Sequence, residues 1–277
     1  MTIVVTGATG HLGRLVVESL LARGVPAEEI VATGRNVEKL AGLGVTVRAA
    51  SYDDPESLRA AFAGADTLLF VSGSEVGKRV AQHRNVVEAA KAAGVGRVVY
   101  TSGPRADTSS MQLMAEHRET EAMLRESGIP STFLRNNWYI ENYDVGNALE
   151  HGLFGAAGDG KISAAPRADY AEAAAAAILS TNPKQVYELG GEPFTLSELA
   201  AELSRQSGRE VTYTNLSEQD YANFLTSVGV PDQMAKILAD TDRAATEGAL
   251  HTQGNDLETL LNRPPTPLAT AVKSQLP

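Results

Sequence analysis

No cysteine occurs among the 277 residues, which excludes disulfides, thiolate metal sites, iron–sulfur clusters and a cysteine nucleophile. Positive charge is also scarce. Lys and Arg total 24 against 34 Asp and Glu, a net charge of −10, and no Lys/Arg run interrupts the deficit. Such a field repels phosphate backbones and anionic surfaces, so no nucleic-acid partner is expected. No apolar stretch approaches the ~20 residues of a membrane span, and Met1 leads straight into Ile3-Val4-Val5 without a basic leader. The expectation is a soluble, cytoplasmic protein without a membrane span. Repeats are missing, and the only low-complexity tract is Ala173 to Ala177. What remains is ordinary globular composition, 43% hydrophobic and 21% charged, in a chain long enough for one large domain or a domain plus a lobe.

Short β-branched runs alternate with helical patterns through the first half, the sign of βαβ units and a parallel sheet. Strands are expected at Thr2–Thr6, Glu29–Thr33, Val45–Ala49, Thr67–Val71, Arg97–Thr101 and Ser131–Leu134, each apolar on both faces. Leu12, Leu15, Val16 and Leu20 recur at helical spacing, as do Val80, Val86, Val87 and Ala90, and Met111 to Glu126 forms a longer amphipathic segment. Asp54-Pro55 is a helix start. Right-handed crossovers make this an α/β fold with a doubly wound parallel sheet.

After Leu134 the pattern changes. Gly152 to Gly160 reads as loop, 168–179 as an Ala-rich helix and Val186–Leu189 as a strand. Thr195 with Glu198 forms a capping box before a helix at Leu196–Gln206, and Ser217 with Asp220 a weaker one. Pro264-Pro265-Thr266-Pro267 separates the last two helical pieces. The domains expected are 1–142, with its sheet completed by 168–190, and 143–277 as a smaller C-terminal α/β lobe, partly interleaved with the first.

Thr6-Gly7-Ala8-Thr9-Gly10-His11-Leu12-Gly13 follows the first strand and opens the first helix. Gly7 permits the tight turn, Gly10 lets backbone approach a pyrophosphate, and Gly13 lets helix and strand pack closely. Between strand and helix, this spacing reads as a dinucleotide site. The second strand ends in Ala32-Thr33-Gly34-Arg35-Asn36, with no carboxylate for the ribose hydroxyls. Arg35 offers a planar fork suited to a 2′-phosphate, so NADPH is expected over NADH; a solvated surface arginine is the competing reading. Tyr52, after strand three, should border the adenine; Ser72, Gly73 and Ser74, after strand four, should lie towards the nicotinamide.

These residues carry a resemblance. TGATGHLG, VATGRN, SGSEVGKRVAQHRNVVEAAKAAGVGRVVYTS, LRNNWYIENY and AAGDGKISAAPRADYAEAA resemble the NmrA-like, atypical branch of the short-chain dehydrogenase/reductases, and within it the bacterial NADPH-dependent quinone oxidoreductases. The resemblance implies a Rossmann-type domain with a small C-terminal lobe, NADPH in a cleft and two-electron reduction of quinones. Carried over by position, Gly7, Thr9, Gly10, His11 and Leu12 would contact the pyrophosphate, Arg35 the 2′-phosphate, and Ser72, Gly73, Ser74 and Glu75 the ribose and nicotinamide side. Asn137, Trp138, Tyr139 and Asn142 would border nicotinamide and substrate, and Arg167 would face the same cleft.

The wider superfamily relays protons through Ser, Tyr and Lys, and this chain departs from that pattern. His117 and Glu121 stand at the tyrosine and lysine positions and Gly103 at the serine position, which argues against alcohol–carbonyl interconversion. His117 is therefore the candidate proton donor, held by Glu121; a solvated i,i+4 pair is the competing and favoured reading. Trp138, Tyr139 and Tyr143 are candidate walls for a quinone, or core aromatics. A non-enzymatic NADP(H)-binding redox sensor is the alternative function. The partners expected are a small-molecule quinone and, at most, further copies of the chain in a homo-oligomer. His83, His151 and His251 lack partners at metal-ligand spacing, so no metal is expected.

Overall fold

The computed structural model describes residues 1–276. Its strands are β1 (Ile3–Val5), β2 (Ile30–Gly34), β3 (Thr46–Ala49), β4 (Thr67–Phe70), β5 (Arg97–Ser102), β6 (Ser131–Asn136), β7 (Leu153–Gly155), β8 (Val186–Leu189) and β9 (Tyr213–Asn215). The helices are α1 (His11–Ala22), α2 (Pro55–Phe62), α3 (Arg79–Ala92), α4 (Gln112–Ser127), α5 (Val145–His151), α6 (Arg167–Leu179), α7 (Leu196–Ser207), α8 (Glu218–Ser227), α9 (Asp232–Thr246), α10 (Asp256–Leu261) and α11 (Leu268–Lys273). Seven strands form one sheet in the order β3-β2-β1-β4-β5-β6-β8. The five pairings from β3 across to β6 are all parallel. This is the doubly wound Rossmann-type order, and it reverses direction between β1 and β4, where such sheets bind ligands.

Alternating strand residues supply two apolar faces. Val4, Val31, Leu68, Phe70, Val98 and Phe133 pack with Leu58 and Phe62 of α2, Val86 and Val87 of α3 and Leu124 of α4. On α1, Val16, Val17 and Leu20 are buried, and this helix packs against the Ala-rich α6, whose small side chains permit close approach. Asp54 caps α2 by accepting from the Glu56 and Ser57 amides, with Pro55 in the first turn as the sequence indicates.

One strand departs from expectation. β3 is not apolar on both faces: as the sheet's edge it is largely exposed, and its Arg48 donates to the carbonyls of Ala61 and Ala63 at the end of α2. An edge strand carrying a charge is protected against pairing with a second chain.

The chain divides into two compact units, one of 1–103, 116–135 and 167–187, the other of 104–115, 136–166 and 188–277. The expected division at 142, with 168–190 returning to the first domain, compares with a chain that passes from one unit to the other at 103, 115, 135, 166 and 187. The second unit's core joins Leu153, Ile162, Phe194, Leu196, Leu199, Leu203 and Val272. Its α7 starts with the capping box of Thr195 and Glu198, and Ser217 caps α8. Part of the expected loop at 152–160 is instead β7, paired in parallel with β9. Glycine makes that strand possible, because a Cβ at Gly155 would stand 2.6 Å from Asp242 Oδ2. No helix among the described residues is long and apolar enough to cross a membrane.

Candidate functional site

In the first unit, the turn after β1 bends at Gly7, whose φ of +61° strains any residue with a Cβ, and packs against the end of β4. Gly13 faces that turn from α1; a Cβ there would lie 2.5 Å from the Gly7 carbonyl oxygen. Gly10 caps α1 with no side-chain hydrogen bond, and no acidic residue occupies the first turn. The amides of the first turn lack intrahelical acceptors and carry the positive end of the helix dipole, so they form an anion cradle. Thr9 sits where a Cβ on Gly34 would otherwise be, 2.5 Å from its Cγ2, which holds the turn against the end of β2.

Arg35 follows β2 and is largely exposed, with Nη1 3.2 Å from Glu75 Oε1. Glu75 belongs to the loop after β4, and β5 and two helices hold that loop. Ser72 N–H donates to Thr101 Oγ1, and Gly73 N–H donates to His83 Nε2 at 2.9 Å. Arg79 Nε donates to the Gly73 carbonyl at 2.7 Å, and Gly77 N–H donates to Glu116 Oε1 at 2.9 Å. Arg79 and Glu116 are themselves paired at 3.0 Å with little exposure. His83 must therefore carry its proton on Nδ1, which lies 2.8 Å from Thr120 Oγ1 while that hydroxyl donates to the Glu116 carbonyl. Tyr52 is half-buried rather than free: its hydroxyl is 2.6 Å from both Thr6 Oγ1 and the Val71 carbonyl, joining the ends of β1 and β4.

The pair expected between His117 and Glu121 does not form, and neither side chain is solvated. His117 is buried with Nδ1 2.8 Å from the Tyr100 hydroxyl. Glu121, 1% exposed, accepts from Arg135 Nε at 2.9 Å and Nη2 at 2.8 Å, from Ser102 Oγ at 2.7 Å and from Arg125 at 2.8 Å. The i,i+4 spacing put them on one face, but that face packs on the sheet, where β5 and β6 supply each with a different partner.

Burial, with help from Arg79, pushes His117 down to about 3 and His83 to about 2. Both rings are neutral at physiological pH. The unfolded chain takes up a proton on each near the ordinary 6.5, whereas the folded protein resists it down to those lower values. Folding stability is therefore intact above that range and falls as pH drops, by up to about 1.4 kcal/mol per pH unit for each ring. A His117→Asn protein should lose about 1 kcal/mol at neutral pH with its Tyr100 hydrogen bond. Its urea midpoint should also fall less steeply than wild type between about pH 6.5 and pH 5. Equal slopes would show that His117 accepts its proton in the folded state.

In the second unit, the segment after β6 is held by bonds between Ile140 N–H and the Ala165 carbonyl and between Ala165 N–H and the Trp138 carbonyl. Asn137, expected to contact cofactor, is engaged within the fold. Its Nδ2 donates to the Leu250 carbonyl at 2.9 Å and Thr252 Oγ1 at 2.8 Å, and its Oδ1 accepts from Trp138 N–H at 2.7 Å. Its neighbour Asn136, which follows the same strand towards the expected crevice, has the only buried side-chain polar atom without a partner among the described residues, Oδ1. Its Nδ2 reaches the Tyr139 hydroxyl at 3.3 Å, so either orientation of the amide leaves one end unpaired. A buried polar group without a partner costs about 1–3 kcal/mol, which marks this strand end as a place for a hydrogen-bonding ligand. Trp138 and Tyr143 lean on the second core, Tyr143 facing Phe194 with ring centroids 6.5 Å apart, while Asn142 is exposed. Burial also raises the Tyr143 phenol well above its ordinary range. Arg167, half-buried, opens α6 in the first unit. No group of three or more His, Asp or Glu among the described residues could hold a metal ion.

Residues 1–266 match the model of the NmrA-like family. The chain belongs to that family. It is 54% identical to quinone oxidoreductase 2 of Escherichia coli (strain K12), with 98% of this chain and 97% of that protein covered. The crystal structure of NADPH-dependent quinone oxidoreductase QOR2 from Escherichia coli complexed with NADPH superposes with a TM-score of 0.95 at 52% identity and 99% coverage of both chains. Triphenylmethane reductase of Citrobacter sp., complexed with NADP(H), gives 0.93 at 40% identity, covering 99% of this chain and 100% of that one.

Proposed function

We propose that this protein is an NADPH-dependent oxidoreductase that reduces a quinone to its hydroquinone in one two-electron step. The residues present in the first unit fit NADPH: first-turn amides with no side-chain cap and no acidic neighbour, and a guanidinium at the end of β2 with no carboxylate on that strand. The near-full-length similarity to enzymes of this activity supports the same reading.

When bound, NADPH supplies the hydride that the quinone accepts. The first-turn amides of α1 would hold the pyrophosphate and Arg35 the 2′-phosphate, so these residues mainly bind and orient. Trp138, Tyr139 and Tyr143 are the aromatic surface assigned to the quinone.

One observation favours a quinone over a simple carbonyl. At the relay positions the structure has a neutral buried imidazole and a carboxylate locked to two arginines. Neither is an acid ready to protonate an alkoxide at neutral pH. A quinone spreads the arriving charge over a conjugated ring, and its oxygens collect protons from water. His117, the expected proton donor, is in its neutral form a hydrogen-bond partner of Tyr100, and the hydroquinone's protons come from water. The same proposal places the protein in the cytoplasm, with no nucleic-acid partner and, at most, further copies of its own chain as macromolecular partners.

The purified protein should oxidise NADPH only when a quinone is added. Binding with unequal affinities for NADPH and NADP⁺ but no turnover on any quinone would replace this reading with the redox sensor. Arg35→Ala should weaken NADPH by roughly 10- to 100-fold, the value of a hydrogen-bonded charged contact, and change NADH by less than about threefold. Unchanged discrimination, read by titrating both cofactors, would remove Arg35 from the site.

A further inference from the structure

The loop after β4 brings Glu75 to Arg35, at the opposite end of the dinucleotide site from the nicotinamide side assigned to it by sequence position. Its carboxylate bridges two cations, with Oε1 3.2 Å from Arg35 and Oε2 3.4 Å from Lys78. A carboxylate there opposes binding of a phosphate, because the guanidinium that would receive the phosphate already has an anion. Its position is not accidental flexibility. Gly73 is fastened through both its N–H and its carbonyl to α3, and Gly77 to Glu116 of α4, so the intervening turn delivers Glu75 to one place. The Glu75 side chain is 35% exposed and that of Arg35 71%, so the pair is weak enough to open.

We propose that Glu75 is an internal competitor for the 2′-phosphate: it pairs with Arg35 in the absence of ligand, yields to the phosphomonoester, and returns as oxidised cofactor departs. This rests on the assignment of Arg35 to the 2′-phosphate. The phosphate wins because it brings nearly two negative charges and three acceptor oxygens against one carboxylate. Glu75 retains Lys78 as a partner when displaced. The competition lowers affinity only for ligands that carry the 2′-phosphate. Both redox forms carry that phosphate, so the competition loosens NADPH and NADP⁺ alike and hastens the exchange of nicotinamide that each turnover requires.

The test is calorimetric titration with adenosine 2′,5′-bisphosphate and adenosine 5′-monophosphate, which differ only in the 2′-phosphate. The proteins are wild type, Glu75→Gln, Glu75→Asp, Arg35→Ala and the double variant Arg35→Ala/Glu75→Gln. Glu75→Gln should bind the bisphosphate about two- to fivefold more tightly at low salt, the range of an exposed ion pair, with the monophosphate unchanged. Glu75→Asp, which keeps the charge but shortens the reach, should gain similarly. The gain should shrink in high salt and vanish in the Arg35→Ala background. Stopped-flow release of NADP⁺ from Glu75→Gln should slow by the same factor.

A gain in Glu75→Gln but not Glu75→Asp would mean general repulsion and overturn the proposal, as would a gain that survives Arg35→Ala or no gain at all. If wild type does not prefer the bisphosphate over the monophosphate, the Arg35 assignment falls first and the competitor falls with it. Preference in wild type without an effect at Glu75 overturns the competitor alone.

Discussion

Gly13→Ala is expected to abolish useful cofactor binding, raising the dissociation constant for NADPH by roughly 100-fold or more, equivalent to about 2.7 kcal/mol. The added methyl carbon would meet the Gly7 carbonyl oxygen at 2.5 Å, the Gly7 carbonyl carbon at 2.7 Å and Ala8 Cα at 2.9 Å. All are backbone atoms in the turn itself, so no rotamer relieves the contact. Either α1 slides away from β1 or the turn opens, and each moves the amide cradle relative to Arg35. Overpacking of this kind costs about 1–3 kcal/mol in stability, so the variant should still fold with a modestly lower melting temperature. Binding followed by cofactor fluorescence, beside circular dichroism as a folding control, separates the two effects. A folded variant with a dissociation constant within about threefold of wild type would mean the turn does not set the cradle.

Glu121→Ala is expected to be the most destabilising single change in the first unit, by about 3–5 kcal/mol and on the order of 10 °C in melting temperature. The carboxylate is the common acceptor for Arg135, Ser102 and Arg125. Arg125 reaches solvent, but Arg135 is 4% exposed and would lose the carboxylate that takes two of its N–H groups at 2.8 and 2.9 Å. Removing both ends with packed apolar residues, Glu121→Leu/Arg135→Met, should recover most of the loss, since isosteric replacement of a buried pair is often neutral or better. Urea unfolding of the single and double variants decides it. If the double variant is no more stable than Glu121→Ala, the packing around the pair, and not the broken ion pair, accounts for the loss.

These two positions illustrate what sequence could and could not convey. Gly13 was legible because strand, turn and helix are adjacent in the chain and the glycine spacing is local. Asp54-Pro55 and the Thr195–Glu198 box were legible for the same reason. Glu121 was misread because its partners, Ser102 and Arg135, come from separate strands; helix spacing shows which residues share a face, but not whether that face meets water or a sheet. His83 and Arg79 sit in a recognisable segment without a visible purpose, since their respective donor and acceptor, the N–H and carbonyl of Gly73, belong to a loop residue with no side chain to announce it. At the Asn136-Asn137 pair, composition marked both residues equally. Only the backbone direction after β6 decides which amide turns into the fold and which stays unpaired. The strands β7 and β9 escaped because three residues apiece are too few to show a period.

The five passages of the chain between its two compact units bear on how the protein is made. Neither unit is a continuous stretch, so no single truncation of the gene can yield either one. On the ribosome, β6 emerges well before β8, the strand that covers its outer edge, and at about 5–20 residues per second that edge stays open for seconds. An unpaired β edge is a template for the wrong neighbour, so nascent chains halted between Asn136 and Val186 should be the ones that chaperones hold longest.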